Sequence, residues 1–131
     1  MISNKEKKQK DPPQKEINFI LELLRSNKFK EAKNEAESQI RKNPESPVSY
    51  NILGAVLASQ NLFTEAINNY KKALSLNPNY AEAFNNLGIA YQKFNKSNEA
   101  IQSYKKAISL KNDFAEAYNN LGNALSKTKE S

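Results

Sequence analysis

The chain has 131 residues, 38% of them apolar, with a formal net charge of +6 at pH 7 and a pI near 9.4. It contains no cysteine and no histidine, which excludes disulfides, thiolate nucleophiles, most zinc sites and the commonest general base near neutral pH. No segment approaches the roughly 18 consecutive apolar residues of a membrane span, and the first residues lack the apolar stretch of a secretory signal, so a soluble cytoplasmic protein without metal or cofactor is expected.

The chain opens on a lysine run, Lys5, Lys7, Lys8 and Lys10, that has no apolar periodicity and ends at Pro12 and Pro13. Residues 1–10 read as a disordered basic arm. From residue 11 the pattern becomes helical and periodic. The three glycines of the chain, Gly54, Gly88 and Gly122, stand 34 residues apart. NYAEAFNNLG, from Asn79 to Gly88, returns 34 residues later as DFAEAYNNLG, and YKKALSL from Tyr70 returns as YKKAISL from Tyr104. A period of this length implies stacked supersecondary units. The expected division is a degenerate first repeat over 11–44, a second over 45–78, a third over 79–112, and the first helix of a fourth repeat or a capping helix over 113–131.

Each period holds two apolar stretches at helical spacing. In the third, Phe84, Leu87, Gly88 and Tyr91 share one face, and Ala100, Tyr104 and Ala107 share another. Asp11, Asn79 and Asp113 are expected to cap first helices, with Gln14, Glu82 and Glu116 completing a capping box, and Ser46 before Pro47 does the same for the second unit. Asn27, Asn61 and Asn95 fall between paired helices, where asparagine tolerates the left-handed conformation of a tight reversal. The mid-helix glycines cost roughly 1 kcal/mol of helix propensity each, so close helix approach is expected there. The aromatic and leucine stripes read as core.

The ordered pattern of aromatic, Leu-Gly, aromatic, Glu-Ala, aromatic, Lys-Lys-Ala and Asn-Pro resembles the tetratricopeptide repeat. Phe84, Leu87, Gly88, Tyr91, Glu99, Ala100, Tyr104 and Ala107 carry it in the third unit, where Asn112 replaces the expected proline. The second carries it on Tyr50, Leu53, Gly54, Leu57, Ala66, Tyr70, Ala73 and Pro78. The first has lost the aromatic and the glycine, with Glu16, Phe19, Ile20, Leu23, Ala32, Ala36, Ile40 and Pro44, as suits a terminal unit. The resemblance implies an all-α solenoid of antiparallel helix pairs in a right-handed superhelical array. Tyr118, Leu121, Gly122 and Leu125 keep the form that expects a partner helix, which favours a chain that is part of a longer protein over one that ends in a cap.

The resemblance also places ligands on an inner face lined by the first helices. Residues there that core packing does not use include Asn51, Asn85, Asn86, Asn119, Asn120 and Asn123. An amide offers one acceptor and two donors and can hold the backbone of an extended peptide whatever its side chains. The row is similar to the asparagine row of O-linked N-acetylglucosamine transferase repeats, matched at Asn86 and Asn120 and broken at Ile52. Ile17, Leu21, Val48, Ile52 and Ile89 could add apolar pockets at the N-terminal end, and Lys93 and Lys127 stand on the same face.

A protein-interaction scaffold binding an extended peptide or protein segment is therefore expected, of unknown oligomeric state and with the N-terminal adaptor region of a larger glycosyl- or sulfotransferase as the alternative. The carboxylate clamp of chaperone co-factors in this family is not met: Asn51 and Ala55 replace lysine and asparagine, Asn86 matches, and Glu116 and Asn120 replace a basic pair. No nucleophile and base pair, metal cluster or phosphate-cradling loop marks an enzyme. Lys71, Lys72, Lys105 and Lys106 could form a basic stripe for nucleic acid, but on outer helices they read as solvated positions.

Overall fold

The computed structural model describes residues 11–130, so the expected basic arm lies outside the described residues. Within them the chain forms seven helices and no strand: α1 (Gln14–Arg25), α2 (Phe29–Lys42), α3 (Pro47–Ser59), α4 (Phe63–Leu76), α5 (Ala81–Lys93), α6 (Ser97–Leu110) and α7 (Ala115–Glu130). Each helix packs on its neighbours in the chain, and α1, α3, α5 and α7 also touch in succession. The architecture is an all-α helical-repeat solenoid.

The reversals inside the pairs share one geometry. Asn27, Asn61 and Asn95 adopt φ of 59°, 62° and 61°, the left-handed region that asparagine enters at lower cost than most residues. The amide of the residue after each asparagine reaches back five residues: Lys28 N to Leu23 O at 2.8 Å, Leu62 N to Leu57 O at 3.0 Å and Lys96 N to Tyr91 O at 2.8 Å. These bonds use carbonyls that the helix end would otherwise leave open. Three residues then suffice to turn the chain into its partner helix.

The starts of the first helices depart from the expected caps. Only Ser46 caps as predicted, its Oγ accepting from Ser49 N at 3.4 Å with Pro47 in the first turn. Asn79 and Asp113 stand one residue too early: α5 is preceded by Tyr80, whose carbonyl accepts from Phe84 N at 3.2 Å, and α7 by Phe114, whose carbonyl accepts from Tyr118 N at 3.2 Å. Phe114 is buried with Ala81, Ala107 and Ala117, so ring burial rather than capping chemistry sets the helix start. Asp11 does not cap α1, which follows Pro13; its carboxylate accepts a 2.7 Å hydrogen bond from Ser46 Oγ.

The glycines are where helices approach most closely. A Cβ on Gly54 would lie 2.5 Å from Tyr70 Cε1, and one on Gly88 would lie 2.5 Å from Tyr104 Cε1. Both rings are buried, so a side chain at either glycine would have to displace a packed tyrosine. Gly122 meets nothing within 4 Å, because no described helix covers that face of α7. Tyr118 and Leu125 on the same face remain half exposed.

Elsewhere small residues hold the junctions. Ala32, Ala36, Ala66, Ala73, Ala100 and Ala107 are fully buried on the second helices, while the larger Ile20 and Val56 are buried on the first helices, each contributing roughly 1.5–3 kcal/mol relative to exposure. The junction between α2 and α3 is different. Gln39 occupies the register of Ala73 and Ala107, and Ser49 that of Ala83 and Ala117. Both are buried, and the Gln39 amide and the Ser49 hydroxyl have no hydrogen-bond partner among the described residues.

Candidate functional site

The first helices lie side by side and their side chains alternate between junction and groove. The asparagines divide accordingly. Asn86 Nδ2 donates to Asn51 Oδ1 at 3.1 Å, and Asn120 Nδ2 donates to Asn85 Oδ1 at 3.1 Å. Asn51 in turn donates to the Tyr80 hydroxyl at 3.2 Å. These amides bridge successive first helices, across a separation of one repeat plus one residue.

The expected row of free amides is thereby reduced. Asn85 is only 2% exposed, and its amide serves the junction between α5 and α7 rather than the groove. Asn51 has both its oxygen and its nitrogen engaged. Asn86 and Asn120 commit an N–H but keep Oδ1 lone pairs, so they offer acceptors more than donors. Asn119 is exposed beside the pair. At the first junction the corresponding register positions carry Ile17 and Ile52, both half-buried, with Ile52 packed on the core; Leu21 is 40% exposed.

A cleft of about 470 Å³ opens between α5 and α7, lined by Ile89, Gln92, Lys93, Tyr104, Asn120, Asn123, Ser126 and Lys127. It gathers Ile89, Asn120 and Asn123 from the sequence-predicted set. Ile89 thus faces the third and fourth first helices and not an N-terminal pocket. Gln92, Tyr104 and Ser126 were not foreseen. The signal was present, since Ile89, Gln92 and Lys93 follow helical spacing and Gln92 and Ser126 are equivalent one repeat apart.

Tyr104 links the core to this cleft. Its ring packs on Gly88, and its hydroxyl donates to Gln92 Oε1 at 2.5 Å. With that oxygen occupied, the Gln92 NH₂ group is left to donate elsewhere. Burial, helped by the charge of Glu116, pushes the Tyr104 phenol above its ordinary pKa, so it stays a neutral donor. The cleft lining contains two lysines and no acid. Acidic residues stand at the opposite ends of the same helices, Glu82 in the first turn of α5 and Glu116 in that of α7, whereas Lys93 and Lys127 lie in the last turns. This is the arrangement that the helix dipole favours, and it gives the groove an acidic edge and a basic edge.

On the second helices, Lys71 lies 5.9 Å from the Tyr91 ring centroid and Lys72 lies 5.8 Å from that of Tyr50. Two of the four lysines considered for a basic stripe therefore rest on aromatic faces of first helices. Among the described residues no group of acidic side chains is arranged to hold a metal ion, and no helix is long and apolar enough to cross a membrane.

The family model for the TPR repeat matches residues 54–93 and 95–129. The chain belongs to the TPR repeat family. Among solved structures, the TPR domain of Sgt2 from Aspergillus fumigatus superposes with a TM-score of 0.85 at 16% identity, over 94% of this chain and 83% of that one. The first TPR of Spaghetti (RPAP3), bound to the HSP90 peptide SRMEEVD, gives 0.80 at 22% identity over 88% and 91%. MamA gives 0.77 at 25% identity over 88% and 68%. No curated protein matches the sequence. The TPR matches begin at Gly54, and α1, α2 and the start of α3 precede them.

Proposed function

We propose that this TPR protein is an interaction scaffold that holds an extended peptide segment along the face of its first helices, with the cleft between α5 and α7 as the main contact. The observation that carries this is the cleft itself, an open hollow of about 470 Å³ in which Ile89 supplies apolar surface beside Asn120 and Asn123. A segment crossing it would place a backbone N–H against the Asn120 Oδ1 lone pairs and a backbone carbonyl against the Gln92 NH₂ group. The similar first TPR of Spaghetti holds a peptide, which supports a peptide as the class of ligand. The residues here do not reproduce a clamp for a terminal carboxylate, because Asn51, Ala55 and Glu116 stand where that clamp needs lysine, asparagine and a base. The division into repeats at residues 44, 78 and 112 belongs to the same reading, with each repeat supplying one first helix to the groove. The alternative of an adaptor for a larger transferase draws no support from the comparisons.

The test is selection from a displayed peptide library with the wild-type chain and with Asn123→Trp, whose bulk would fill the cleft. Selected peptides should bind wild type and lose most of their affinity for the variant. Equal binding to both would move the contact off this cleft.

A further inference from the structure

The side of α7 that carries Gly122 repeats two surfaces that are occupied elsewhere in the molecule. At Gly54 on α3 and Gly88 on α5 the missing side chain makes room for a ring, Tyr70 from α4 and Tyr104 from α6. In both pairs the tyrosine has a fully buried alanine four residues before it and three residues after it, Ala66 and Ala73 or Ala100 and Ala107. Gly122 keeps the room and meets nothing within 4 Å. Beside it Tyr118 and Leu125 are 50% and 40% exposed, whereas their equivalents one repeat earlier, Phe84 and Tyr91, are half-buried. We infer that this surface docks an amphipathic helix of another polypeptide, antiparallel to α7, that lays an aromatic ring on Gly122 and has small residues four positions before and three after the ring. The occupied pairs define that chemistry: small flanking residues let the two helices approach until the ring meets the glycine backbone, and larger ones would hold them apart.

Two observations point to another polypeptide as the source of the helix. Lys129 stands in the register of Asn27, Asn61 and Asn95, which make the left-handed reversals. There α7 stays helical, running through Lys129 to Glu130, so the turn that folds α4 onto α3 and α6 onto α5 is not made at that position. A second copy of the chain has no suitable helix to offer. Its α4 and α6 keep their alanine and tyrosine faces buried in their own pairs, and α2 has Ala36 in the register of the ring. On α7 the positions four before and three after Tyr118 hold Phe114, already buried, and the bulky Leu121. The Gly122 surface and the cleft lined by Asn120 and Asn123 lie on different sides of α7, so docking here is separate from a segment held in the groove.

The probe is an acetylated, amidated peptide of residues 97–112, which carries the alanine and tyrosine spacing of α6. A lactam between Lys106 and a glutamate introduced as Gln102→Glu, two positions exposed on α6, holds it helical. It is titrated into the isotope-labelled full chain while the amide signals of Tyr118, Gly122 and Leu125 are followed. These signals should move, and the same peptide with Tyr104→Ala should bind at least about tenfold more weakly. In the chain variant Gly122→Ala a Cβ stands where the ring must lie, so binding should fall by at least about tenfold although the variant melts no lower than wild type. No movement of these signals with the parent peptide would overturn the inference, as would unchanged affinity on either substitution. A dimer of the chain alone in sedimentation equilibrium that Gly122→Ala dissociates would make a second copy the occupant and overturn it as well.

Discussion

Asn120 donates its side-chain amide to Asn85 Oδ1 at 3.1 Å, joining α7 to α5 across one repeat and one residue. The same bond joins Asn86 to Asn51, so the amide bridge is a repeated element of the junction between first helices. Breaking it at Asn85 leaves the Asn120 N–H without its partner in a half-buried site. Asn85→Ala is expected to cost about 1–2 kcal/mol. A double-mutant cycle with Asn120→Ala, read from thermal unfolding, should return a coupling of about 0.5–1 kcal/mol; strictly additive effects would show that the bond contributes nothing of its own.

The glycines should respond with opposite signs to the same change. Gly88→Ala drives a Cβ to 2.5 Å from the buried Tyr104 ring, whose hydroxyl is also held by Gln92. The overpacking is expected to outweigh the gain in helix propensity and cost about 1–3 kcal/mol. Gly122→Ala meets no atom within 4 Å and should raise stability by up to about 1 kcal/mol. Melting temperatures of the two variants should fall on either side of wild type.

Gln39 marks a junction that can be improved. Its amide is buried without a hydrogen-bond partner among the described residues, and methionine has nearly the same length and volume. Gln39→Met removes two desolvated polar atoms and should stabilise the chain by about 1 kcal/mol. A variant that melts at or below wild type would mean that the amide is satisfied in solution.

Alkaline pH should unfold the array from within. Burial raises the phenol pKa of Tyr70 and Tyr104, and burial, offset in part by the hydrogen bond from Asn51, raises that of Tyr80. The unfolded chain ionises these groups near pH about 10, whereas the folded chain holds them neutral. Their contribution is complete below that pH and is lost as the pH rises beyond it. Tyrosinate absorbance should grow together with loss of helix; ionisation ahead of unfolding would show that the rings are accessible.

The residues that were legible from sequence are those whose role is local. Asn27, Asn61 and Asn95 signalled their reversals because backbone sterics alone make the left-handed turn cheap for asparagine. Gly54 and Gly88 signalled close packing because nothing else justifies a mid-helix glycine. The caps at Asn79 and Asp113 misled because the next residues, Tyr80 and Phe114, are placed by contacts with neighbouring repeats, which outweigh capping preference. The bonding within the amide row was not legible for a related reason. Identical register placed Asn51, Asn85 and Asn119 in one line and Asn86 and Asn120 in another, but which line bonds to which depends on how far one repeat is rotated against the next. The cleft was half visible: Ile89, Asn120, Asn123 and the two lysines could be read from helical spacing, while Tyr104 looked like core alone and proved to be both core and floor.

Among the described residues, helix contacts run only between helices adjacent in the chain or one apart. Tension applied from one end to the other would therefore be carried by the junctions in series, each taking the full load, with no central core to share it. Extension would come first from small rotations at every junction, as in a spring. The amide bridges at Asn51–Asn86 and Asn85–Asn120 would resist that rotation, and the junction with Ile17 and Ile52 in their place would be the more compliant, so the stiff part of the spring is the part that carries the cleft.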